Sequence, residues 1–390
     1  MIRILFILLF FGCEVENNRT DNSKKEITQE VEQIIKLQIS SRIDTTKKEL
    51  KEILSLYENY INSKPDSIYN NPYWNEKEKA QYRDFDFSRS NIYNGINSRQ
   101  LFRIYTPFVL SVEPKKSKYQ IKVLYSNSAT KSPYVGSKVW CIHKLNAISE
   151  EGNWKLENLI VEKTKKWHTT QMDFIEYVYA DEHEFDKIQG EKAVLFCEKI
   201  IKKFNPTFNS KFKFYLTNET DEMGELENFD YYFTGITTGK AREGMILSSK
   251  GDEFYPHEFI HKLLPDNENR GYVIEEGLAT FLGTKEDLKE YLPILKKLAN
   301  DFNLKKSFTL ENILNNQTVW NGYPSAYPGG ALICEVIHEK KGDEGIRKLI
   351  KGKTNNYDEI LNLTMNILKI EKQEVIRLIE KKMKQYKNRR

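Results

Sequence analysis

The sequence predicts an α+β protein: an N-terminal helix with a curved antiparallel sheet, then a second mixed part whose C-terminal half is mostly helical. Three observations carry this expectation. Apolar residues between Leu50 and Ile61 recur at helical spacing, residues 101–162 hold short runs that alternate as half-buried strands do, and helical periodicity dominates after residue 257. A chain of 390 residues is long for one hydrophobic core, so two folded domains are expected.

Ahead of them stands a leader. Arg3 precedes the apolar run Ile4 to Phe11, too short to cross a bilayer as a helix but the size of an export-signal core. Gly12-Cys13 at its end resembles the lipobox of bacterial lipoproteins, which implies export to the cell envelope and membrane attachment through a lipid on Cys13. Residues 1–13 are thus read as leader and the polar residues 14–45 as a solvated tether. Sixty basic residues against 56 acidic leave a net charge of only +4, which does not indicate a nucleic-acid partner. The basic run Lys381 to Arg390 suits the C-terminal end of a helix. Cys141, Cys197 and Cys334 are odd in number and flanked by apolar residues, so buried free thiols are expected rather than a disulfide framework.

The first domain is placed at 46–166. A helix over Lys47 to Asn62 precedes strands at Leu101 to Val112, Tyr119 to Tyr125, Val139 to Ser149 and Trp154 to Glu162, the last two joined by a turn at Glu150 to Asn153. This order is similar to NTF2-like domains, in which the aromatic stretch Tyr69 to Tyr82 would line a pocket; packing of the core or rim is the commoner use of such residues. The second domain is placed at 168–390. Strands are expected at Thr170 to Ala180, Lys211 to Leu216 and Met245 to Ser248, with a helix over Phe185 to Phe204 and an acidic loop from Asn218 to Asp230.

The chemistry concentrates at His257-Glu258-Phe259-Ile260-His261, an HExxH pattern. On a helix, residues at i and i+4 share a face, so both imidazoles reach one cation while Glu258 stands beside it. Imidazole suits zinc, and a catalytic zinc takes three protein ligands and keeps its fourth position for water. The third ligand is sought in Tyr272 to Leu282, a second short helix with Glu275 and Glu276 near its start. The Pro-, Asp-, Asn- and Gly-rich stretch Lys262 to Gly271 lets the chain turn back toward the first helix. His183-Glu184 opens the same pattern without a second His and reads as a solvated helix start, and His338 reads as an exposed helical residue.

Glu276-Gly277-Leu278-Ala279 downstream of HExxH resembles the gluzincin metallopeptidases. Together with Ser325 to Leu332 and Lys341-Gly342, it makes residues 168–390 similar to a peptidase MA-like, thermolysin-type zincin domain. The resemblance implies Glu276 as third zinc ligand, with Glu275 as the fallback. It implies an oxyanion donor in the segment that opens a helix with Tyr327-x-x-Gly330: Tyr327, with Tyr323 as runner-up, against a plain packing role. It also implies that Met245 to Ser248 is a sheet edge able to pair with an extended peptide. The activity implied is hydrolysis of a peptide or protein substrate by a metal-activated water with Glu258 as general base. The rival reading is an exported binding protein that keeps a zincin scaffold without turnover.

Overall fold

The apolar stripe of the first helix folds as expected: Lys48–Ile61 buries Leu50, Ile53, Leu54, Leu56, Tyr57, Tyr60 and Ile61. The computed structural model describes residues 34–93, 96–127, 138–204, 211–233, 237–264, 267–284, 288–302, 308–316, 319–320 and 323–388. The expected leader with Cys13, and the tether up to residue 33, lie outside them. The described chain is mixed α+β with two open sheets and many helices. None of its helices is long and apolar enough to cross a membrane. It divides into two compact units, one of Ile27–Asp186 with Ser210–Glu253, the other of Lys187–Asn209 with Phe254–Arg390. The strands of 168–253 therefore group with the N-terminal sheet, rather than with the C-terminal helices as the boundary near residue 167 would have it.

The first unit holds both sheets. One runs in the order β1 (Gln38–Ile39), β2 (Thr106–Lys115), β3 (Lys118–Ser126), β4 (Val139–Glu150), β5 (Asn153–Glu157). The expected tether is thus partly structural, since β1 pairs with β2 in parallel and Ile43 is buried. The other sheet is formed by β6 (His168–Met172), β7 (Ile175–Tyr179), β8 (Phe212–Leu216), β10 (Gly239–Arg242) and β11 (Met245–Ser248), while β9 (Phe229–Tyr232) pairs with β4. The spatial order β10-β11-β8-β7-β6 puts β11 inside the sheet, so the edge expected at Met245 to Ser248 belongs to β10 instead.

Other expectations shift for local reasons. Leu101 to Ile104 is helical, within Ser98–Ile104, because the Asn97 side chain caps that turn by accepting from the Gln100 N–H at 2.9 Å. The strand from Trp154 stops at Glu157, because the Asn158 N–H leaves the ladder for the buried Glu78 carboxylate at 3.1 Å. Thr170 to Ala180 is a hairpin, turned at Asp173 with φ 50°. The acidic loop contains a helix, Thr220–Leu226, followed by β9. Cys141, Cys197 and Cys334 are free and buried, as expected.

A buried polar chain crosses this unit. Tyr57 O–H lies 2.7 Å from Tyr125 O–H and 2.9 Å from His143 Nδ1, and His143 Nε2 lies 2.9 Å from Ser88 Oγ, which donates to Asp86 at 2.6 Å. Burial pushes His143 down to about 3, so this histidine is neutral and serves as a satisfied interior group.

The second unit is helical apart from the short pair Val319–Trp320 and Tyr323–Pro324. Its helices are Lys187–Phe204, Pro256–Leu263, Tyr272–Thr284, Leu288–Asp301, Leu310–Leu314, Ala326–Lys351, Tyr357–Leu368 and Lys372–Asn388. Ala326–Lys351 is two helices in sequence, broken at Gly342, whose φ is 58°. Tyr272–Thr284 is buried along nearly its whole length, and its closest neighbour is Ala326–Lys351. A Cβ on Gly277 would stand 2.3 Å from the Gly330 carbonyl carbon, and one on Gly330 would stand 1.9 Å from the Val273 oxygen. The two backbones touch, and no larger side chain fits between them. Gly330→Ala is accordingly expected to cost about 3 kcal/mol or more of unfolding free energy. Urea unfolding measures this; a loss within about 0.5 kcal/mol would mean that the crossing is looser than described.

Candidate metal centre

The motif helix Pro256–Leu263 starts with Pro at its first position, where the missing N–H costs nothing. Phe259, Ile260 and Leu263 are buried, and Phe259 packs toward Phe196 and Phe254, each with a ring separation of 6.5 Å. With that face committed to the core, His257 and His261 point together to the other side. Their Nε2 atoms are 3.2 Å apart. The next helix brings the Glu276 Oε2 atom to 3.2 Å from His257 Nε2 and 3.4 Å from His261 Nε2. Among the described residues, His257, His261 and Glu276 are the group that could hold a metal ion.

The triangle fits zinc. Donor atoms bonded at about 2.0–2.1 Å to a tetrahedral ion stand about 3.3–3.4 Å from one another, which is the spacing found here. Two imidazoles and a carboxylate are also the donor types of a catalytic zinc site, with one position left over. Glu276 is 9% exposed and Glu258 5%, so both carboxylates sit in a largely dry setting.

Electrostatics hold the triad together. Burial opposes the charged form of His261, but the hydrogen bond and negative charge of Glu276, with smaller contributions from Glu258 and Glu275, raise it to about 9. Burial likewise opposes the Glu276 carboxylate, and the hydrogen bonds and charges of the two histidines outweigh it, lowering it to about 2. Without a cation the site is therefore an imidazolium beside a carboxylate.

Glu275, the fallback ligand, is turned elsewhere. It lies 2.7 Å from the Nε of the buried Arg270, whose other nitrogens donate to the Leu264 carbonyl at 2.9 Å and the Ile350 carbonyl at 3.1 Å. Arg270 thus joins the end of the motif helix, the start of the Glu276 helix and the last turn of Ala326–Lys351. Nothing in its loop composition singled it out in the sequence. Tyr327 is brought to the triad: its ring stacks on His257 at 5.6 Å and 18°. Burial and then the Glu276 charge push its phenol far above the ordinary range, so it keeps its proton. The side chain of Tyr323 lies outside the described residues. Sequence reasoning also missed Tyr272, whose phenol is pushed up to about 12 by burial and then by the Glu276 charge; its signal was its place four residues before Glu276.

Two histidines differ from expectation. The His183 side chain is 8% exposed and bonds the buried Glu253 at 2.8 Å, ahead of a helix that starts only at Lys187. His338 is partly buried, 3.4 Å from Asp343 and with its ring beside Phe281.

Metal binding here should be linked to protons. His261 must lose its proton to become a ligand, so zinc affinity should fall as pH drops below about 9, with close to one proton released per zinc near pH 7. Calorimetry in two buffers of different ionisation enthalpy measures this; uptake without proton release would contradict the assignment. In the metal-free protein, the raised His261 value stabilises the fold fully below its ordinary 6.5, and that stabilisation is lost as pH rises through about 9. The lowered Glu276 value contributes above 4.5, and its contribution is lost as pH falls through about 2. No family model matches the chain, and no curated protein matches it.

Proposed function

We propose that this chain is a zinc-dependent metallopeptidase of the gluzincin, peptidase MA-like type, and that its sheets and helices are variants of NTF2-like and thermolysin-type folds. The observation that carries the reading is the convergence of His257, His261 and Glu276 at 3.2–3.4 Å, with a buried Glu258 beside them on the motif helix. A zinc ion held by this set would lower the pKa of water toward about 7 and polarise a substrate carbonyl. Every other part of the chemistry falls to the chain's own side chains.

Glu258 is the general base: its carboxylate takes the proton of the attacking water and passes it to the amine that leaves. Its position supports the role, since its charge acts on both His261 and Tyr327. Tyr327 O–H donates to the carbonyl oxygen as that oxygen gains charge, and the buried phenol cannot relinquish this proton at neutral pH. Arg270 orients the Glu276 helix by holding Glu275 away from the centre. The proposed substrate is a peptide or protein, and the proposed setting is the cell envelope, with a lipid on Cys13 as the anchor.

Glu258→Gln removes the base while keeping its size, so it should retain one zinc per chain and lose a factor of about 10²–10⁴ in peptide hydrolysis. Zinc content and cleavage of an unstructured protein, with and without phenanthroline, test this. Full activity in Glu258→Gln would overturn the assignment of the base, and zinc without cleavage in the wild type would favour a binding protein.

A further inference from the structure

The helix that carries Glu276 also buries a hydroxyl that nothing satisfies. Thr280, one turn beyond Glu276 on the same face, is 5% exposed, and its Oγ1 has no hydrogen-bond partner among the described residues. A helical threonine commonly donates back to the carbonyl one turn earlier, as Thr284 does to the Thr280 oxygen. Thr280 makes no such bond to Glu276. A buried polar atom left unpaired is uncommon in a folded protein and calls for an explanation.

His257 offers one, because it meets this helix at two levels. A Cβ on Gly283 would stand 3.0 Å from the His257 backbone nitrogen and 3.2 Å from its Cα, while the His257 Nε2 lies 3.2 Å from the Glu276 carboxylate. Positions 276, 280 and 283 follow one another along a single helix face, so the imidazole runs from the level of Gly283 to that of Glu276 across the turn that carries Thr280. Both hydrogen bonds of the His257 ring use Nε2. Nδ1, the ring nitrogen nearer the main chain, belongs to the level between. With zinc on Nε2, the proton of the neutral ring must sit on Nδ1. A ligand imidazole almost always donates that second N–H to an acceptor, which fixes the ring and makes the bound nitrogen more basic.

We propose that Thr280 Oγ1 is this acceptor: a positioning residue that is idle in the metal-free protein and holds His257 in the tautomer and orientation that a cation needs. The inference rests on the zinc-centre part of the proposed function and does not require that any peptide be cleaved. The hydroxyl touches neither the ion nor a substrate; it acts through His257 alone.

Thr280→Val keeps the branched side chain and removes the hydroxyl, while Thr280→Ser keeps the hydroxyl. Zinc affinity, measured by competition with a chromogenic chelator, and urea unfolding of the metal-free protein separate a positioning role from a structural one. Thr280→Val should bind zinc about 10–100-fold more weakly than wild type. Its metal-free unfolding midpoint should be no lower, since the variant discards a buried group that had no partner. Thr280→Ser should bind zinc as wild type does. Unchanged zinc affinity in Thr280→Val would overturn the inference. So would an equal loss in Thr280→Ser, or a lower metal-free midpoint in Thr280→Val, which would make the hydroxyl part of the fold instead. His261→Ala, measured alongside, tests the reading beneath. If it also leaves zinc binding unchanged, the metal centre itself is misplaced; a loss in His261→Ala without one in Thr280→Val removes only the role of Thr280.

Discussion

The contact of two helix backbones at Gly277 and Gly330 is the constraint on which the candidate centre depends. A ligand triangle with sides of 3.2–3.4 Å tolerates little error in the placement of Glu276, because its carboxylate has few torsions with which to correct a displaced helix. The crossing removes that freedom. It locks Tyr272–Thr284 onto Ala326–Lys351 from one side, while the start of the motif helix meets the last turn of Tyr272–Thr284 at Gly283, where a Cβ would stand 3.0 Å from the His257 nitrogen. The same crossing delivers Tyr327, one turn ahead of Gly330, to the face that His257 presents. One close approach thus sets the places of both Glu276 and Tyr327.

Charge is the second constraint, and it is local. Each ionisable member of the centre is buried at a cost that its partner offsets: His261 by Glu276, Glu275 by Arg270. The first unit treats its own buried groups differently. His143 is simply kept neutral and bonded between Tyr57 and Ser88, with no charged partner on either ring nitrogen. Burial opposes the charged form of both histidines, and only the one beside a carboxylate retains a proton. Under the proposed metal reading, that proton is the one a cation would displace.

Much of the centre was legible in the sequence because its geometry is periodic. The spacing of His257 and His261 needs only a helix to converge, and the helix is assured by Phe259, Ile260 and Leu263 on the opposite face. Glu276 was legible through the small residues that follow it, although the helix they fit against proved to be the one carrying Gly330. Arg270 was not legible, since its role depends on contacts between segments distant in the sequence. Arg270 reaches Ile350, eighty residues away. The sheets show the same limit: alternation located most strands, but Asn97, Asn158 and Asp173 each redirect the backbone through one side chain or one left-handed residue. Neither the spatial strand order nor the grouping of 168–253 with the N-terminal sheet has a periodic signature.

The central claim is that His257, His261 and Glu276 share one cation. Diffraction data from zinc-loaded crystals, collected on both sides of the zinc absorption edge, test it most directly. The account predicts one anomalous peak per chain, bonded to His257 Nε2, His261 Nε2 and a Glu276 oxygen at about 2.0–2.2 Å, with Glu275 still on Arg270. A peak elsewhere, or none with the three side chains unmoved, would contradict it.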